Sequence, residues 1–395
     1  RESGLDRVPL LEGADSRRPV VFVGPYEHHS NEITWREGLA EVVEVELDDS
    51  GCLDLGDLER KLSRPEYRDR QLIGSFSAAS NVSGIKTPVY RVAALLHRYG
   101  ALAFFDFSAS APYVKIDMSH DSESYFDGVF FSPHKFIGGP GSAGLLLIRE
   151  EIYPSHLPPS ESGGGTVTFV NAQTQDYVTD IEDREKPGTP GILQTIRAAL
   201  ALDLQHQLGT EEIEHRETEL LAAALSRFEN HEQVEILCDA AAEGRIAIFA
   251  FNIRAGAGYL HPRYVVRLLN DLFGIQSRAG CSCAGPYGHR LLRIDQPTSM
   301  HYRGLINEGR EGIKPGWVRM NFHYLITDEE FEFLCQAVEF VAESGLCFLS
   351  EYIFDMQSGS WAHARDTQGA ASVGAAQAAQ LAEPLPGSPR QKPAS

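Results

Sequence analysis

The sequence predicts an α/β protein: a three-layer α/β/α large domain on a mostly parallel sheet, followed by a smaller α+β domain. Three observations carry this. Short, nearly continuous apolar runs alternate with amphipathic segments through the first half of the chain, the pattern of parallel strands covered on both faces. Two long helical segments, 191–208 and 211–228, then bridge to a region where strands and helices no longer alternate. With 395 residues, 43% of them hydrophobic, the chain is long enough for one large domain plus a smaller one. The expected boundaries are 1–208 for the large domain, 209–350 for the small one and 351–395 for a low-complexity, disordered tail.

In order, RRPVVFV (17–23) opens as a strand, and GPYEHHSNEITW (24–35) follows as a loop with adjacent histidines. Residues 42–47 alternate apolar and acidic, a strand with one wet face, and 55–62 form a short amphipathic helix. Strand 71–76, turn SAASNVSG, helix 89–99 and strand 101–106 follow. Strand 128–131 leads into FFSPHKFIGGPGSAG, and AGLLLI (143–148) has the length of a buried strand. Residues 152–188, rich in Gly, Pro, Thr and Ser, are expected to pack on a ligand or a neighbouring subunit. The small domain has strands near 234–237, 245–253 and 317–322 and helices near 262–273 and 328–343. The last helix starts TDEE, with acidic side chains at the positive end of the macrodipole. Beyond about 361, Ala, Gln, Pro and Ser dominate without aromatic residues to bury.

A formal charge of −20 argues against binding to nucleic acid or to an anionic membrane surface. No run approaches the roughly 18–20 apolar residues of a membrane span, and the first residues lack a secretory signal. Six cysteines, at 52, 238, 281, 283, 335 and 347, are too sparse for a disulfide scaffold, so a reducing, cytoplasmic setting is expected.

Ligands of a parallel sheet collect beyond the carboxyl ends of its strands, which singles out Asn81, Asp106 and Ser132–Lys135. Lys135 lies between an apolar run and a glycine-rich loop, where a desolvated amine has a lowered pKa and can form a Schiff base; the alternative is a hairpin lysine. Ser132 and His134 could hold phosphate oxygens from the same turn. Asp106, ending its strand, would need a cation or donor such as a protonated pyridine nitrogen, or else it caps the next segment. His28 could stack on a planar ring or act as a base, or be polar surface. In SRAGCSCAGPYGH (277–289), two cysteines near Arg278 favour a reactive thiolate; inert burial, or zinc with His289, are the other readings. Arg319, on the apolar strand WVRMNF, would take a substrate carboxylate or pair with a buried acid.

FSPHK, EHHSN, the strand-terminal Asp106 and the RAGCSCA loop, in this order, resemble the class V aminotransferase family of fold type I pyridoxal-phosphate (PLP) enzymes, most closely its cysteine desulfurase and selenocysteine lyase branch. The resemblance runs from about Val20 to about Glu343. It implies that Lys135 forms the Schiff base with PLP and Asp106 partners the pyridine nitrogen. It further implies that His28 stacks on the ring, Asn81 bonds the ring oxygen, and Ser132 and His134 hold the phosphate. Thr189, in PGTP, would reach the partner subunit's cofactor in a homodimer with shared sites. Arg319 would bind the carboxylate of an amino-acid substrate, and Cys283 would accept sulfur from cysteine as a persulfide, releasing alanine and passing sulfur to an acceptor protein. No metal is implied. Two positions depart from the pattern: Ala109 stands where many relatives have glutamine, and the family's phosphate-binding turn lies upstream of Arg1, so the chain is read as N-terminally truncated. Other class V reactions, transamination or a lyase step, and a noncatalytic relative remain as alternatives.

Overall fold

A computed structural model describes residues 18–238 and 244–366. The first strands and helices are β1 (Val20–Val23), α1 (His29–Arg36), β2 (Glu41–Glu44), α2 (Leu55–Leu62), β3 (Leu72–Ser77), α3 (Val89–Arg98), β4 (Leu102–Asp106), β5 (Gly128–Phe131) and β6 (Leu145–Ile148). These strands form one sheet in the order β2-β1-β3-β4-β5-β6. All neighbours are parallel except β5 and β6. Val20, Phe22, Phe76, Ala103 and Phe105 are fully buried in its core, beneath the apolar face of α3, Val92, Ala93, Leu95 and Leu96. Such two-sided burial is what continuous apolar strands require.

A surface segment holds β7 (Val167–Val170), β8 (Gln175–Tyr177) and α4 (Ile181–Arg184), and two long helices follow, α5 (Ile192–Leu208) and α6 (Thr210–Phe228). Next come β9 (Val234–Ile236), β10 (Ile248–Ala255), β11 (Gly258–Tyr259), α7 (Pro262–Phe273), β12 (Arg278–Gly280), α8 (Gly285–Leu291), α9 (Gln296–Asn307), β13 (Trp317–Asn321), α10 (Asp328–Ser344), β14 (Tyr352–Asp355) and β15 (Ser360–His363). The second sheet is antiparallel, β11-β10-β13-β12, with β9 against β10. Its core joins Phe249, Phe251 and Val318 to Leu268 of α7 and Val338 and Val341 of α10. Thr327 and Glu330 form a reciprocal capping box at the start of α10. By length and composition Asp328–Glu351 could cross a membrane, yet Cys335, Val338, Val341 and Ala342 of this helix pack into the second core.

Several expectations need correction. Residues 24–35 are not all loop: α1 starts at His29, because His28 is extended and its ring accepts the Ser30 N–H as a cap. The 277–289 stretch is not one loop either, since its glycines conceal β12 and α8, the latter carrying a proline in its first turn. Helix α9, capped by Asp295, lies where no element was expected. Strand β6 is an edge rather than a buried strand, with Leu146 64% exposed. The tail does not begin at 351: β14 and β15 form a hairpin that buries Tyr352, Phe354 and Trp361 against α7. Residues 1–17 and 367–395, including the rest of the expected tail, lie outside the described residues.

Candidate active site

The carboxyl ends of β3, β4 and β5 face the loop between β12 and α8 across a cavity of about 370 Å³. His28, Asn81, Lys135, Cys283 and Arg319 line it, together with Ala109, Tyr113, Glu217, Arg278, Ser282 and Asn321. Five of the residues singled out from the sequence, drawn from five separate segments, thus meet in one space.

Lys135 ends a single helical turn, Pro133–Lys135, that follows β5 directly. The glycines after it are required by geometry: Gly138 and Gly141 are left-handed, and a Cβ on Gly139 would lie 1.9 Å from the Pro133 carbonyl oxygen. Arg197 of α5 ties the turn down by donating to the Pro140 carbonyl, 2.6 Å. The Lys135 side chain opens onto the cavity but has enough protein around it that desolvation lowers its pKa, while the Asp106 charge pulls the other way. Asp106 is 5% exposed, lies behind the lining, and accepts the Ser108 N–H at 2.8 Å. Its charge bears on both Lys135 and His28.

His28 Nδ1 is held by Ser30, at 2.8 Å from Oγ, which leaves Nε2 to address the cavity. Burial, then the charge of Lys135, lowers its pKa and favours the neutral ring. Beside it, Glu27 is buried and accepts from Ser77 N–H at 2.9 Å, Ser77 Oγ at 2.6 Å and Asn31 Nδ2 at 2.7 Å, fastening the end of β1 to β3 and α1. Burial raises its pKa to about 7 against those bonds. Gly24 leaves it room, since a Cβ there would fall 2.5 Å from Glu27 Oε1.

The cysteine side is held from the first sheet. Ser282 and Cys283 are both left-handed, φ 52° and 57°, and Ala284 N–H donates to the Cys281 carbonyl, 3.1 Å, closing a type I′ turn on residues that are not glycine. Asn81 Nδ2 donates to the Ser282 carbonyl at 2.6 Å, His29 N–H to the Cys283 carbonyl at 2.9 Å, and Gly285 N–H to His29 Nε2 at 2.9 Å. Cys283 is half-buried and Cys281 exposed.

Arg319 does not meet a buried acid. Its guanidinium donates to the Asn81 carbonyl at 2.5 Å, and it faces Arg278 across the β12–β13 register. Burial, then the Arg278 charge, lowers its pKa. Two like charges side by side, with no carboxylate ion pair for either among the described residues, make a place for an anion.

The sequence reading missed Tyr113, Glu217 and Asn321. Glu217 was detectable: it occupies the apolar stripe of α6 formed by Ile213, Leu220, Leu221 and Ala224, where a carboxylate has no reason to be unless it is used. It is 4% exposed, and burial raises its pKa to about 8 against the backbone N–H groups of Ala247 and Tyr324. Three expected phosphate ligands are not brought in. Ser132 is half-buried, His134 and Thr189 are exposed, and none lines the cavity, because Pro133–Lys135 turns Lys135 alone toward it and Thr189 belongs to the surface segment before α5. No three His, Cys, Asp or Glu side chains gather as a metal cage among the described residues.

The residues present fit the ring end of PLP: a desolvated amine with a carboxylate behind it, a neutral imidazole, and the buried, unpartnered Asn81 Oδ1 face one space.

The family model "aminotransferase class-V" matches residues 14–334. A probable cysteine desulfurase of Halalkalibacterium halodurans is 31% identical over 270 residues, 67% of this chain and 62% of that protein. A second, from Pyrococcus abyssi, is 28% identical over 85% of this chain and 75% of its own length. The chain therefore spans less than two thirds of the first of these relatives. The solved cysteine desulfurase of Thermococcus onnurineus superposes with a TM-score of 0.67 at 26% identity, covering 83% of this chain and 74% of that one. The chain belongs to the class V aminotransferase family and has the fold of the cysteine desulfurases.

Proposed function

We propose that the chain is a PLP-dependent enzyme that takes sulfur from L-cysteine onto Cys283 and releases alanine. The observation that carries the reading is the single cavity uniting Lys135, His28, Asn81, Cys283 and Arg319. Lys135, Asp106, His28 and Asn81 would hold the cofactor's ring, and PLP when bound supplies an electron sink for the substrate's α-carbon. Arg319, with Arg278, binds the substrate carboxylate and so sets which end of the amino acid faces Lys135. The lowered pKa of Lys135 leaves its amine able to take a proton from the α-carbon and to return one later. The Cys283 thiolate attacks the substrate sulfur; an S–S bond forms, the Cβ–S bond breaks, and the carbon keeps the electron pair and is protonated to alanine. His28, held neutral, can receive and give a proton beside these steps. Ala109 lines the cavity with a methyl where a polar contact would otherwise be made.

The same reading takes the protein as a homodimer. The exposed apolar face of α5, with Leu193 at 77% and Leu200 at 64%, and the exposed Thr189 support it, Thr189 reaching the partner's cofactor phosphate while Ser132 and His134 hold the phosphate of their own subunit's cofactor. An acceptor protein would carry the sulfur away. The test is cysteine turnover by the PLP-loaded protein, with alanine and sulfane sulfur quantified. Alanine with a persulfide on Cys283, both lost in C283A, supports the assignment. Alanine formed only when a keto acid is added would replace it with transamination, and sulfide release undiminished in C283A would overturn the role of Cys283.

A further inference from the structure

Cys281 has no part in the chemistry above, and its position relative to Cys283 is unusual. The two thiols occupy the first and third positions of one type I′ turn, closed by the Ala284 N–H to Cys281 carbonyl bond. Cα atoms two residues apart are separated by no more than about 7 Å, and in a closed turn by less, which is the range in which two cysteines can bridge. Their surroundings differ sharply. Cys283 is half-buried and lines the cavity, whereas Cys281 is exposed and does not. Ser282 between them is 6% exposed and its carbonyl is pinned by Asn81, so the turn forms part of the cavity wall, with Cys283 lining the cavity and Cys281 next to it open to solvent.

We propose that Cys281 is a relay thiol that receives the sulfane sulfur from Cys283 and presents it at the surface, an inference that rests on the desulfurase reading. In the step, the Cys281 thiolate attacks the outer sulfur of the Cys283 persulfide. A bond forms between Cys281 Sγ and that sulfur, the bond from it to Cys283 Sγ breaks, and Cys283 leaves as thiolate and takes up the proton Cys281 gave up. One persulfide is exchanged for another, so no oxidant or reductant is consumed. The exchange solves a problem of access: an acceptor thiol that cannot enter a 370 Å³ cavity already holding substrate meets an exposed Cys281 without opening it. It also frees Cys283 for the next cysteine before an acceptor arrives.

The test locates the sulfur. The PLP-loaded protein is given ³⁴S-cysteine for a single turnover, alkylated and digested. Cleavage after Arg278 and Arg290 yields one peptide, in which fragmentation at Ser282 separates the two cysteines. Labelled sulfane sulfur is expected on both in the wild type, on Cys283 alone in C281A, and on neither in C283A. C281A should also hand sulfur to dithiothreitol several-fold more slowly. Label confined to Cys283 in the wild type, handover undiminished in C281A, or label on Cys281 in C283A would each overturn the relay. A second arm charges the folded protein with inorganic tetrasulfide, bypassing cysteine. Because the exposed Cys281 takes sulfur from tetrasulfide directly, the exchange is read there as sulfane sulfur reaching Cys283 several-fold faster in the wild type than in C281A, and equal rates overturn it. Absence of alanine and label in the cysteine arm alone identifies failure of the desulfurase reading instead.

Discussion

The lysine turn and the cysteine turn face each other across one cavity, and they are built on opposite principles. After Lys135 the chain reverses on glycines, so its left-handed positions cost little, and the turn is fixed locally to β5 and α5. Around Cys283 the left-handed positions fall on Ser282 and Cys283 themselves, and the restraint comes from Asn81 and His29, some 200 and more residues away in sequence. One turn is stable where it stands; the other is held in place by the opposite wall of the site. Strain at Ser282 and Cys283 is therefore maintained in part by Asn81, which itself lines the cavity.

This contrast can be broken at either end. The largest effect is expected from Lys135→Ala, which removes the amine without touching the fold: alanine formation should fall by about 10²–10⁴-fold while thermal unfolding is unchanged. The two sides also differ in their response to pH. Glu217, buried under the second sheet, keeps its proton to about pH 8 when folded but would lose it near 4.5 when unfolded. It therefore lowers stability progressively as pH rises from about 5 through 8, and Glu217→Gln should gain of order 1–5 kcal/mol over wild type across that window in denaturant titrations. A constant difference from pH 4 to 9 would mean that the carboxyl does not titrate there. Next, His29→Ala removes the acceptor for Gly285 N–H and should cost about 1 kcal/mol in unfolding, yet slow persulfide formation on Cys283 more than it weakens cysteine binding, a split that single-turnover kinetics reads. Ser282→Gly removes left-handed strain of about 1–2 kcal/mol but frees the unfolded chain by about 0.4–1 kcal/mol, so the net should be a stabilisation of no more than about 1 kcal/mol, read as a small rise in the unfolding midpoint.

The smallest effect lies on the first sheet. Burial of His97 opposes its charge, but bonds to Asp127 and to the Glu123 carbonyl outweigh burial and raise its pKa. That contribution is complete below the ordinary histidine value and is lost as pH rises through the raised one. His97→Gln should therefore destabilise most below the ordinary histidine value and converge on wild type as pH rises through the raised one, as followed by thermal melts.

The sequence made one half of this comparison far more legible than the other. Helices 55–62 and 262–273 and strand 128–131 coincide with observed elements, because periodicity and flanking signals agree there. Lys135, Asp106 and Asn81 could be singled out because each lies at or just beyond the carboxyl end of a strand of a parallel sheet, where position in sequence implies position in space, and His28 because of its place in a histidine doublet after β1. The cysteine turn was not legible in the same way. Its glycines read as loop and hid β12 and α8, and nothing local announces that His29, the second of two adjacent histidines, grips it. Glu217 was read over because charge on a long helix normally faces water. The hairpin after 351 was masked by the polar tail that follows it, although Trp361 offered a residue worth burying.

The doublet His28-His29 now has a meaning its spelling does not suggest. One ring addresses the cavity, while its neighbour holds the turn that carries Cys283, by main chain and side chain together. Two adjacent residues thus act as a ruler: a fixed length of covalent chain sets the spacing between the His28 wall of the cavity and the Cys283 turn. Any movement at the start of α1 displaces both gauge points at once, so the gap closes or opens only if this short length of chain itself deforms.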